Sequence, residues 1–134
     1  MQNIDQENAF NFSPRFNAAF LYELYGGDVK TAVHIFTETY NQVNKELVLA
    51  AEYFKQGDTA ALKKVYHKIK PLFGYVGLDD VQDMVQQFED ACLKALHATD
   101  IQYQYNTINE TITGALENIK TETERLEAHI NKRA

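Results

Sequence analysis

From Val29 to Phe54 one set of apolar residues, Val29, Val33, Phe36, Tyr40, Val43, Leu47, Ala50 or Ala51, and Phe54, recurs in steps of three and four throughout. That spacing lines them up along one side of a single long α-helix. Such a helix needs a partner to cover its apolar side. No stretch of the chain alternates with the period of two that a strand would show, and there is no internal repeat. The cover must therefore be helical too.

The punctuation on either side agrees. Ser13-Pro14 reads as a helix start, with Ser as N-cap and Pro in the first helical position. Phe16, Phe20, Leu21 and Leu24 then recur at helical spacing until Gly26-Gly27 stops the helix. Asp28 caps the long helix, Gly57 ends it and Asp58 caps a third helix. Gly77 ends the third, and Asp79 or Asp80 is placed to cap a fourth. The fourth carries an apolar stripe of Leu78, Val81, Met84, Val85, Phe88, Ala91, Cys92 and Ala95. After a break at His97-Ala98-Thr99, with Asp100 as cap, Ile101, Tyr105, Ile108, Ile112, Leu116, Ile119, Leu126 and Ile130 run to the C-terminus. The turns from Lys120 onward are heavily charged and are expected to project beyond the core.

Four substantial helices on short connections favour antiparallel neighbours. The expected fold is all-α, an antiparallel up-down-up-down four-helix bundle with a short extra N-terminal helix. Residues 1–12 read as a tail, with Phe10 and Phe12 available to fold back onto the core, and residues 13–134 as one domain. A chain of 134 residues suits one core.

Its net charge of −6 disfavours nucleic acid as the main partner. Cys92 is the only cysteine, which excludes an intrachain disulfide and a cysteine metal cluster. The polar stretch Met1–Asn8 has no apolar signal region, and no apolar run reaches the ~20 residues of a membrane span. The expectation is a cytoplasmic monomer without membrane contact. Met1 and the charged C-terminus favour a small free-standing protein.

The third helix carries an unusual outer face. With about 100° per residue and Ile69 at the centre of the buried side, Leu62, Val65, Phe73 and Val76 fall within roughly 40° of it, and Tyr66 and Leu72 lie on its borders. His67 falls at roughly 160°, almost opposite the core, with Pro71 and Gly74 on the same side. Lys63, Lys64 and Lys70 flank that face, and Lys68 sits to the side. An exposed imidazole among lysines on an acidic protein suits an anion. Pro71 and Gly74 add little bulk, giving a large partner clearance to approach. A proline within a helix normally costs about 3 kcal/mol. Pro71 cannot donate to the carbonyl of His67, so the helix is expected to bend or loosen there. No second histidine or carboxylate lies one turn from His67, which disfavours a metal site. His34, His97 and His129 carry no comparable surroundings.

The spacing of His67, Ile69, Lys70, Gly74 and Gly77 resembles the signature of the histidine-containing phosphotransfer (HPt) domain of bacterial multistep phosphorelays. Leu21–Asp28, Ile35-Phe36 and Gly57-Asp58 resemble that family's opening helix and its turns, so the likeness runs over about residues 16–96. Pro71 stands where the family usually has glycine, Leu72 and Phe73 where Ser and Ala are common, and Tyr66 where Ala is common.

The resemblance implies a four-helix bundle in which His67 takes a phosphoryl group from a receiver-domain phospho-aspartate and passes it to another receiver. Lys70 would stabilise the phosphoryl group. Lys63 and Lys64 would meet the receiver, with Phe16, Phe20 and Leu21 as an apolar docking surface. The implied partners are response-regulator receiver domains and a hybrid sensor histidine kinase. The carrier needs no cofactor of its own, because Mg²⁺ belongs to the receiver. The chain shows no P-loop or kinase signature, so it reads as a phosphocarrier rather than a metabolic enzyme, with no ATP-dependent kinase activity. The alternative is a non-phosphorylated HPt-like protein that docks a receiver or kinase and regulates it.

Overall fold

The computed structural model describes residues 9–133. Among these residues five α-helices follow one another: α1 (Ala18–Tyr25), α2 (Val29–Gln56), α3 (Thr59–Tyr75), α4 (Asp79–Lys94) and α5 (Gln102–Arg133), with a 3-10 turn at Ala98–Ile101 before the last. Helices α2 to α5 form the bundle. Helix α3 packs between α2 and α4, and α5 closes the ring against α2 and α4. Among the described residues there is no strand.

Local chemistry sets most of the helix ends where the sequence places them. The Asp28 carboxylate accepts from the backbone N–H of Thr31, and that of Asp58 from Ala61, each satisfying a donor the first helical turn leaves unpaired. The Thr31 side chain and backbone also hold the Asp28 carboxyl below the usual carboxylate range. Gly57 and Gly77 take φ of 75° and 74°, the left-handed conformation that ends α2 and α3 without a Cβ clash.

Three ends differ from expectation. Helix α1 begins at Ala18, not after Ser13-Pro14. Its cap is Asn17, whose side chain accepts from Phe20 N–H, while Ser13–Phe16 form a turn. Leu78, not Asp79 or Asp80, is the cap position of α4. Those two aspartates occupy the first turn, where negative charge faces the helix dipole. Asp100 caps backwards: its carboxylate accepts from the N–H of His97 at the head of the 3-10 turn.

The core follows the apolar stripes. Phe36, Val43, Leu62, Ile69, Phe73, Val81, Val85, Ile112, Ile119 and Leu126 are fully buried. Phe10 and Phe12 fold back onto the core as expected. The arm that carries them is fastened to α5 by polar contacts. The buried Glu122 carboxylate accepts from Ser13 N–H at 2.7 Å and pairs with Arg125, which donates to the Asn11 carbonyl and lies over the Phe10 ring. The charged end of α5 therefore packs on the arm instead of projecting free. Tyr66 is also wholly buried rather than at the border. Its ring meets Phe88 edge-on, and its hydroxyl donates to Asn109 on α5. Burial raises that hydroxyl well above the usual tyrosine range.

Gly114 is exposed in the middle of α5, and a Cβ built there would meet nothing within 4 Å. Gly114→Ala should stabilise the protein by about 0.5–1 kcal/mol through helix propensity alone. Urea denaturation should show the midpoint moving up with an unchanged slope.

Candidate functional site at His67

Helix α3 stays helical straight through Pro71. The helix is not interrupted beside His67. Both residues lie on the exposed side, where water can reach the His67 carbonyl that Pro71 leaves without a donor. His67 faces solvent as the wheel requires, with its side chain 70% exposed.

The imidazole is nevertheless held. Nδ1 lies 2.7 Å from Oε1 of Glu89, a residue of α4 whose side chain is only 3% exposed. The other oxygen of Glu89 lies 2.8 Å from the ammonium of Lys70. A carboxylate paired with an ammonium is ionised and only accepts, so the hydrogen of the 2.7 Å contact sits on Nδ1. In a neutral ring that leaves the lone pair on Nε2. Among the described residues nothing hydrogen-bonds to Nε2.

Lys70 is tucked in, its side chain 20% exposed, and it also donates to Oε1 of Gln86 at 2.5 Å. Lys68 pairs at 2.6 Å with Glu46, a buried carboxylate on α2. The histidine helix is thus flanked on both sides by buried glutamates, each met by a lysine. Lys64 is exposed and Lys63 half-buried. Burial, with a further push from the Glu89 carboxylate, raises the Cys92 thiol to about 12 against a smaller pull from Lys63. Cys92 therefore stays protonated and inert at neutral pH.

Two expectations need correcting. Phe16 and Leu21 are not a docking surface. Phe16 packs on Phe36, and Leu21 sits fully buried against Gly77, because α1 lies across the end of the bundle with that side inward. Phe20 alone of the three reaches the surface, at 37% exposure; Leu24 on α1 and Tyr75 on α3 are exposed too. Tyr25 ties these helices together by donating to the Tyr75 carbonyl. Gly74 gives no open clearance either. A Cβ there would lie 2.9 Å from Nε2 of Gln82, so the missing side chain makes room for α4. Clearance at the imidazole comes from its own exposure and from exposed Pro71.

Sequence reasoning missed Glu89, Glu46 and Gln86. Glu89 stands four residues after Val85 and three before Cys92, both buried, and Glu46 stands between buried Val43 and Ala50 at the same kind of spacing. A carboxylate at a core position was the readable signal, since such a group needs a partner. Among the described residues no cluster of metal-ligating side chains occurs, and no helix is long and apolar enough to cross a membrane.

Comparison with curated proteins and with solved structures gave no match. The family model of the Hpt domain matches residues 32–129. That span leaves out α1 but takes in nearly all of α5, further along than the likeness read over residues 16–96. The match covers well over half of the chain and includes His67, Lys70, Gln86 and Glu89, so the chain belongs to the Hpt domain family, which serves histidine phosphotransfer in phosphorelays.

Proposed function

We propose that this protein is a phosphocarrier whose His67 takes a phosphoryl group on Nε2 from the phospho-aspartate of one receiver domain and gives it to another. The observation that carries the reading is the 2.7 Å contact between Nδ1 and Glu89, which leaves Nε2 as the nucleophile on a 70% exposed ring. The Nε2 lone pair forms the new P–N bond while the acyl-phosphate P–O bond breaks, and the donor aspartate leaves as a carboxylate. Positive charge develops on the ring as the bond forms, and the Glu89 carboxylate lies against the Nδ1–H that shares it. Onward transfer reverses these changes, with neutral imidazole as leaving group.

The receiver supplies Mg²⁺ and the acidic pocket that holds it. Lys70 provides a point charge one turn from His67 for the phosphoryl oxygens, and Lys64 adds a weaker, screened attraction for an acidic receiver surface. Phe20, Leu24 and Tyr75 form the apolar part of the docking surface. The protein works as a cytoplasmic monomer between a hybrid sensor kinase and a response regulator.

Incubation with a receiver domain carrying phospho-aspartate should move the label to this protein. The product should be acid-labile and base-stable, the behaviour of phosphohistidine. A receiver panel from the same genome that never loses its label to this protein would overturn the reading.

A further inference from the structure

Lys70 has two oxygen partners, and both come from α4. Glu89 Oε2 lies at 2.8 Å from its ammonium, an ion pair without hydrogen-bond geometry, and Gln86 Oε1 accepts from it at 2.5 Å. The Gln86 amide is fixed at its other end as well, because its Nε2 donates to Oδ1 of Asp90 at 3.1 Å. Lysine only donates and an ionised carboxylate only accepts, so the amide has one orientation that satisfies both. Asp90, Gln86, Lys70, Glu89 and His67 make one continuous polar chain from the surface of α4 to the imidazole.

The members of that chain differ in depth. Glu89 is buried, whereas Gln86 and Asp90 are exposed. With Glu89 as its sole partner, the Lys70 ammonium would sink toward the buried carboxylate, away from the solvent side where Nε2 points. Gln86 offers a second acceptor on the outer side and carries no charge. It holds the ammonium at the mouth of the site without adding a negative group that would repel an incoming phosphoryl. We infer that Gln86 is a positioning residue for phosphoryl transfer at His67, acting through Lys70. This inference rests on the phosphocarrier reading and deepens it.

The test needs no partner protein. Phosphoramidate donates a phosphoryl group directly to imidazole, the P–N bond to ammonia breaking as the P–N bond to Nε2 forms, and ³¹P NMR follows the product. Wild-type His67 should become labelled. Gln86→Ala should lower the maximal labelling rate about three- to tenfold, the worth of one hydrogen bond, with half-saturating phosphoramidate and melting temperature unchanged. Lys70→Ala should slow labelling further, and adding Gln86→Ala to Lys70→Ala should then change nothing. That lost effect in the double variant is a result a general packing role would not give. Wild-type rates in Gln86→Ala, or an equal slowing by Gln86→Ala in the presence and absence of Lys70, would overturn the inference while leaving the phosphocarrier reading intact. A wild-type protein that takes no label at His67 would overturn both.

Discussion

His67→Gln should accept no phosphoryl group from a labelled receiver, with transfer falling to background. The substitution removes Nε2, the one atom that forms the new bond, so no rearrangement of neighbours compensates. The fold should survive. The side chain is 70% exposed, and the amide that replaces the imidazole can still donate to Glu89. Changes at such positions usually stay within about 0.5 kcal/mol. Circular dichroism and the denaturation midpoint should match wild type while the labelled band disappears. Exposure by itself does not pick out this histidine, because His34 and His97 are exposed as well. What distinguishes His67 is the carboxylate behind it and the lysine beside it. A label that persists in His67→Gln would move the acceptor elsewhere and remove the basis of the site.

Glu89→Ala carries the second large effect, a loss of about 10- to 100-fold in transfer rate, the range expected when a reacting group loses its orientation. Three things go at once. The ring is no longer held, the proton is no longer confined to Nδ1, and the charge that develops on the imidazole loses its counter-ion. Glu89→Gln separates them. An amide oxygen can still accept from Nδ1–H, so orientation and tautomer persist while the negative charge does not. Its rate should fall between those of wild type and Glu89→Ala. Receiver affinity should change little, since a side chain 3% exposed presents almost nothing to a partner. The check is single-turnover transfer at saturating receiver. Equal rates for wild type and Glu89→Ala would deny Glu89 a part in the chemistry.

The bundle was legible because apolar periodicity dominates each helix, from Val29–Phe54 in α2 to Ile108–Leu126 in α5, and because Asp28, Gly57, Asp58 and Gly77 mark ends by a mechanism local to the chain. His67 was legible for the same reason: a wheel places a residue opposite the core without knowing what covers the core. The parts that could not be read depend on neighbours. The wheel of α3 cannot show that α4 brings Glu89 and Gln86 to His67 and Lys70, or that Gln82 fills the space over Gly74. Helix α1 has apolar residues on several sides, so its spacing did not decide which of Phe16, Phe20, Leu21 and Leu24 face inward. The bundle decides it by burying Phe16 and Leu21. Pro71 does not end α3, since at an exposed position water is free to take the place of the hydrogen bond that a proline removes.

The polar chain at His67 is drawn from two antiparallel neighbours, α3 and α4, and has no member on α2 or α5. What α2 and α5 owe the chemistry is chiefly a repeating apolar stripe, and many sequences supply one. The protein can therefore exchange most of its side chains for others of like volume and keep His67 in the same surroundings. The demands of the fold are spread thinly over the chain, and those of the reaction are gathered between His67 and Asp90.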